Sequence, residues 1–135
     1  DQFTAVQGSL FFRDQANNRL ITIDASTGDP VVVPGVGFVS ELTAIGNELF
    51  FAGFASPSSN GRELWRLSAG STTATEVEIA SGSGSSNPSQ FTSVGGTLFF
   101  TATTSGVGVE LWKLDGSGNP VLVKDINAGS GSSSP

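Results

Sequence analysis

The apolar residues of this chain fall into short runs rather than a helical rhythm. Runs of four to seven residues, rich in Phe, Val, Ile, Leu and Thr, alternate with clusters of Gly, Asn, Asp, Ser and Pro. Such runs, bounded by turn formers, predict β-strands. No window long enough for a helix is free of these breakers. Gln7-Gly8, Gly46-Asn47 and Gly95-Gly96 each separate two apolar runs and predict tight hairpin turns. Ala25–Pro30 and Asp115–Pro120 join later runs, with Gly supplying positive φ and Pro presetting re-entry into a strand. The expected fold class is all-β.

The runs recur in order. Phe3-Thr4-Ala5-Val6 leads to Leu10-Phe11-Phe12, Leu42-Thr43-Ala44-Ile45 to Leu49-Phe50-Phe51, and Phe91-Thr92-Ser93-Val94 to Leu98-Phe99-Phe100. The starts lie 39 and 49 residues apart. A third run follows as Arg19–Asp24, Glu63–Ser68 and Glu110–Asp115. A fourth follows as Pro30–Val33, Thr75–Ile79 and Pro120–Asp125. Four antiparallel strands in roughly 45 residues, repeated in tandem, mark β-propeller blades. A β-helix would show shorter repeats. The expectation is three four-stranded blades, 1–41 (divergent), 42–90 and 91–135, forming part of a six-bladed or larger propeller.

Particular residues resemble a known family. Glu110-Leu111-Trp112-Lys113-Leu114-Asp115-Gly116, followed by Leu122–Ile126 and a Gly/Ser stretch ending in Pro, is similar to the bacterial ELWxxDGT repeat. So is Val94-Gly95-Gly96-Thr97-Leu98-Phe99-Phe100-Thr101-Ala102. The strand layout is similar to TolB-type propeller blades. The resemblance is sharpest in repeat three. In repeat two Ser68-Ala69-Gly70 replaces Asp-Gly-Thr, and in repeat one Arg19-Leu20-Ile21 stands where Glu-Leu-Trp is expected. It implies a large secreted or surface-attached bacterial protein with no established catalytic activity, and it assigns no site residues.

Composition narrows the chemistry. The 135 residues suffice for one domain. Only 13% are charged, about half the usual share, and Gly, Ser and Thr supply 18, 20 and 12 residues instead. The chain has no Cys, Met, His or Tyr. Disulfides, Cys/His zinc sites and His-based catalysis are excluded, and no cofactor is expected. No apolar run approaches the ~20 residues that span a bilayer, so membrane insertion is not expected. A net charge of −6 argues against nucleic acid as a partner.

The ends bear on assembly. Pro135 followed by Asp1-Gln2-Phe3 would reproduce Pro88-Ser89-Gln90-Phe91, which places three repeats in phase, read from a longer or processed parent. Three blades fall short of the ~4–8 that close a ring. The expected partner is a second copy, joined head to tail to give six blades, or neighbouring repeats of a longer chain.

Trp65 and Trp112 occupy equivalent positions. Core packing is favoured for them over stacking on a glycan between blades. The Phe pairs read as core. Glu63 and Glu110 could serve as paired acids, but they recur with the repeat and so lie on different blades; structural hydrogen bonding or exposure is favoured. Asp115, Ser117 and Asn119 alternate oxygen ligands as in a calcium loop but lack its distal Glu, so a plain turn is favoured. Phe54, on the longest loop, is a candidate contact residue, with local staple packing equally favoured. The Ser/Gly stretches 81–90 and 127–135 recur at repeat ends and read as ordered crossings. The leading expectation is a non-catalytic structural or interaction module outside the cell. A lectin-like propeller binding glycans through Trp65, Trp112, Glu63 and Glu110 is the alternative, and a polysaccharide-active enzyme comes third.

Overall fold

A computed structural model of the chain describes residues 3–57 and 61–135. The described residues contain no helix. Their strands are β1 (Phe3–Val6), β2 (Ser9–Asp14), β3 (Arg19–Ile23), β4 (Pro30–Ile45), β5 (Glu48–Ala55), β6 (Arg62–Ser68), β7 (Thr75–Val77), β8 (Ser89–Val94), β9 (Thr97–Thr104), β10 (Gly108–Leu114) and β11 (Pro120–Lys124). They form a seven-stranded antiparallel sheet in the order β1 to β7 and a four-stranded antiparallel sheet in the order β11-β10-β9-β8. The all-β expectation holds.

Local chemistry explains the hairpins. Val6 pairs with Ser9, Ile45 with Glu48 and Val94 with Thr97, so each predicted two-residue turn closes its hairpin. Gln7 and Gly8 have φ of 46° and 82°, Gly95 and Gly96 of 57° and 81°. Two successive positive φ values are what a type I′ turn requires, and its twist matches that of the strands.

Two strands differ from the sequence reading. Pro30–Val33 and Leu42–Ile45 are not separate elements; both belong to the sixteen-residue β4, so the expected boundary at 41/42 lies inside a strand, and the one at 90/91 lies inside β8. The N-terminal part of β4 pairs with β3 and its C-terminal part with β5, with register shifts around Ser40. The strand thereby serves two neighbours in turn. β7 is shorter than expected, ending at Val77, because the amides of Ile79 and Ala80 turn away to a carboxylate.

The strands group into three units of four. Unit 1 is β1–β3 with the start of β4, unit 2 is the end of β4 with β5–β7, and unit 3 is β8–β11. One core cluster joins Val6, Phe11, Leu20 and Val33 of unit 1 to Leu49, Phe51, Trp65 and Leu67 of unit 2. A second joins Phe50, Leu64 and Val77 of unit 2 to Leu98, Phe100 and Leu114 of unit 3, with Ile45 and Trp112 packed against it. Unit 2 is therefore apolar on both faces, which explains why its strands do not alternate cleanly. Deleting a ring such as that of Phe51 from this core would cost about 3–5 kcal/mol.

Among the described residues, two faces have no neighbour. The side of unit 3 away from unit 2 repeats the rows that pack in the other units, yet Val94 is 58% exposed where Val6 is buried. Phe99 and Leu111 are only half-buried, where Phe11 and Leu20 are fully so. Lys124 takes the place of Val33 and Val77. On unit 1 the side away from unit 2 shows Leu10 and Phe12 at positions where Leu49 and Phe51 are buried. Phe3, 65% exposed, lies against Phe12 with ring centroids 5.6 Å apart.

Candidate functional site

The two repeat glutamates are buried anchors. Glu63, at the start of β6, accepts hydrogen bonds from the amides of Ile79 (2.8 Å), Ala80 (3.3 Å) and Ser86 (2.9 Å) and from the Ser86 hydroxyl (2.8 Å). Glu110 on β10 does the same one unit later, accepting from the amides of Ile126 (3.1 Å) and Ser133 (2.8 Å) and from the Ser133 hydroxyl (2.7 Å). The spacings, 16 and 23 residues, are identical. Each carboxylate ties down the crossing that leaves its own unit, and each is fully buried. Burial pushes the Glu110 carboxyl up, but donation by Ser133, Ile126 and Asn127 outweighs it and holds the group below the ordinary carboxylate value.

The Gly/Ser stretches are accordingly ordered crossings rather than tethers. The Ser85 hydroxyl accepts from the Arg62 amide, and Ser132 from that of Val109. Gly61 and Gly108 meet the crossings so closely that a Cβ would overlap the carbonyls of Gly84 and Gly131. The glycines at these positions are a requirement of backbone contact. Arg62, half-buried, donates to the Pro88 carbonyl (3.3 Å) and to the Ser40 hydroxyl, joining both crossings.

The tryptophans face the cores. The Trp65 indole stacks on Phe51 at 6.5 Å, and its Nε1 donates to the Gly53 carbonyl (3.2 Å). Trp112 packs half-buried on the second cluster, and its buried Nε1 has no hydrogen-bond partner among the described residues. Neither ring lines any of the three clefts described below. The Asp115 carboxylate accepts from the amides of Ser117 (2.8 Å) and Asn119 (2.9 Å) and from the Asn119 side chain. Its oxygens are thus taken up by its own turn, chiefly the Asn119 amide, which lowers its pKa. No group of three or more His, Cys, Asp or Glu able to hold a metal occurs among the described residues.

Phe54 lies inside β5, paired with Arg62, and not on the loop expected from sequence, because the strand runs on to Ala55; it does line a cleft. A cavity of about 690 Å³ opens at the junction of units 1 and 2 between the Val32–Phe38 part of β4 and the end of β5. Its walls are mainly Val32, Pro34, Val36, Phe38, Phe54 and Pro57, with Asn17, Asn18 and Arg19 at the rim. Phe38 is 63% exposed and meets Phe54 edge to face at 6.1 Å. Arg19 donates to Asp14 (3.2 Å). A cleft of about 350 Å³ lies at the equivalent place between units 2 and 3, lined by Ile79, Ala80, Ser81 and Thr103 among others. A third, about 400 Å³, sits at the turns of units 2 and 3 beside Glu48, Arg66 and Asp115.

The sequence did not single out Phe38, and it marked Arg19 only as a departure from the repeat, not as a site residue. The signal was present: the first repeat interval is ten residues shorter, and Phe38 stands where the later repeats have Asn87 and Ser134. In comparisons with known proteins, no family model matches this chain and no curated protein matches it.

Proposed function

We propose that the chain is a non-catalytic repeat module of β-propeller type from a secreted or cell-surface bacterial protein. In this reading it works by mating its two outer faces with further units of the same kind, in a second copy or along a longer chain. One observation carries the reading: the open rows of units 1 and 3 occupy the same repeat positions as rows that mate inside the molecule. The Leu10/Phe12 face is equivalent to Leu49/Phe51, which packs on unit 1, and the Val94/Phe99/Leu111 face to Val6/Phe11/Leu20, which packs on unit 2. Lys124 fits such a junction if its stem lies along the edge strand with the ammonium at the rim. A heterologous contact of this kind closes into a ring or extends into a filament. The secreted and bacterial setting rests on the ELWxxDGT resemblance. A non-catalytic role accords with a chain free of His and Cys whose two repeat carboxylates are spent on backbone amides.

Sedimentation over a concentration series tests the mating. The expected result is association to twice the chain mass or beyond, reversed by Val94→Lys. A strictly monomeric species at high micromolar concentration, indifferent to that substitution, overturns the reading.

A further inference from the structure

The three junction-forming segments provide an internal control. In a tandem repeat, positions that serve the fold recur, and residues that depart from the repeat without a packing reason are left for another purpose. Such departures converge on the 690 Å³ cleft. Arg19 stands where Glu63 and Glu110 anchor their crossings, and Gly37 where Ser86 and Ser133 donate to them. The crossing itself is five residues shorter: Val33 to Phe38 replaces Val77 to Asn87. Phe54 stands where unit 3 has Thr103.

Phe38 is the plainest departure. Its φ is +52°, and the equivalent Asn87 and Ser134 have +46° and +49°. The amides of all three donate to equivalent carbonyls, Asn18, Arg62 and Val109. The left-handed conformation is thus built into the repeat. Asn adopts it readily and a bulky aromatic does not. A strained, 63% exposed Phe whose ring meets only Phe54 among the aromatic residues has no account in folding. Strain of this kind gathers at binding sites.

We propose that this cleft binds a short peptide segment of a partner protein, one that carries an apolar side chain next to a carboxylate. The equivalent space between units 2 and 3 is about half as large, because the longer crossing there lays its Ile79–Ser85 part along the wall. At the first junction that stretch is missing and Val32, Pro34, Val36, Phe38 and Phe54 are left to be covered. The charge is inverted as well. Where a carboxylate receives the crossing's amides, the first unit presents a guanidinium, 45% exposed, with one terminal nitrogen on Asp14. Arginine offers five donors in a fork that suits a carboxylate. The volume falls within the range of sites that enclose a small ligand or a few side chains.

The test is selection from a random heptapeptide library displayed on phage, panned on the intact chain and counter-selected on Phe38→Asn/Phe54→Thr. Both replacements are the residues of the equivalent positions, so the fold accommodates them; if the pair does not fold, Phe38→Ser, taken from Ser134, replaces it. Enriched peptides should combine an aromatic or branched aliphatic residue with Asp or Glu. As synthetic peptides they should bind the double variant and Arg19→Glu at least tenfold more weakly, at a temperature where circular dichroism shows both variants still folded; Arg19→Gln, which adds no second carboxylate, should weaken binding likewise. Enrichment no greater on the intact chain than on the double variant overturns the proposal. So do winning peptides without acidic residues whose binding ignores Arg19→Glu. Saturable binding of an apolar dye at Phe38 with no peptide enriched would assign the cleft to small molecules instead, and overturns it equally.

Discussion

Replacing Glu63 by Gln tests whether the carboxylate holds the crossing. Four donors converge on its two oxygens: three amides and the Ser86 hydroxyl, at 2.8–3.3 Å. Gln has nearly the same shape. Its amide oxygen keeps at most one side of the arrangement, and its NH2 confronts donors on the other. Oε2 serves Ile79, Ala80 and the Ser86 hydroxyl, while Oε1 serves the Ser86 amide alone. The better orientation therefore sets NH2 against the Ser86 amide and keeps three bonds, now to a neutral acceptor. Bonds to charged groups contribute about 1.5–3 kcal/mol each and neutral ones about 0.5–1.5 kcal/mol. One lost bond, one buried amide facing another donor and three weakened bonds sum to more than about 5 kcal/mol. The smaller cost of burying a neutral amide in place of a carboxylate offsets part of this, leaving about 3–5 kcal/mol. That is a large fraction of the 5–15 kcal/mol typical of a folded domain.

Urea unfolding near neutral pH reads this as a lower midpoint at unchanged slope. Amide exchange at Ile79, Ala80 and Ser86 supplies the local readout, because a released crossing opens before the sheets do. Glu78→Gln is the control: Glu78 is exposed and accepts one bond, from Gly82 at 2.8 Å, so its loss should stay within about 1 kcal/mol. A Glu63→Gln variant within about 0.5 kcal/mol of the parent, with unaltered exchange at those amides, refutes the anchoring argument.

Acid should weaken the fold. The Glu110 carboxyl sits below its ordinary value of 4.5, so its stabilising contribution is complete above that pH and is lost as pH falls through the lowered folded-state value. Thermal melts between neutrality and about pH 3 should show a falling midpoint that flattens in Glu110→Gln; an identical slope in the variant argues against the assignment. Trp65→Phe should cost more than Trp112→Phe in urea unfolding, by about 1 kcal/mol, because only Trp65 Nε1 has an acceptor, the Gly53 carbonyl. Equal losses would mean that this hydrogen bond contributes nothing. Gly61→Ala should lower stability by at least about 2 kcal/mol, since the new Cβ meets backbone rather than a movable side chain. A near-neutral result there would show that the crossing is free to shift.

The strands and hairpins were legible because local rules govern them. Gln7-Gly8 and Gly95-Gly96 announce turns that need two positive φ values, and the flanking pairs Val6/Ser9 and Val94/Thr97 form as that chemistry dictates. The packing of Trp65 was also legible, from its place in an apolar strand. What periodicity could not show was continuity across a bulge. β4 runs through Val36–Glu41 because its amides find partners first in β3 and then in β5, a long-range pairing with no local signature. The role of Glu63 was only half legible. Its recurrence with Glu110 spoke against a shared acid pair, but its partners lie 16 to 23 residues away in a stretch whose composition suggests a flexible tether.

The first junction shows how the crossing and its anchor depend on each other. The crossing from Val77 to Asn87 carries amides that the strands do not satisfy, and these need an acceptor inside the fold. Glu63 provides it, and Ser86 saturates the remaining lone pairs. When the crossing shortens to Val33–Phe38 those amides vanish, and an unpaired carboxylate at position 19 would carry only its desolvation cost. Arg19, half-exposed and paired with Asp14, avoids that cost. Glu, Ser and the Gly-rich segment are therefore expected to be gained or lost together, and restoring one member alone at the first junction should destabilise it. Arg19→Glu by itself adds a carboxylate beside Asp14 without donors. Arg19→Glu with Asn17→Gly, Gly37→Ser and an Ala-Ser-Gly-Ser-Gly insertion after Gly35 restores the anchor, its hydroxyl donor, the glycine contact and the length of the crossing. The grafted chain should melt above the single variant, and the opposite order would mean that the anchor and its crossing are independent.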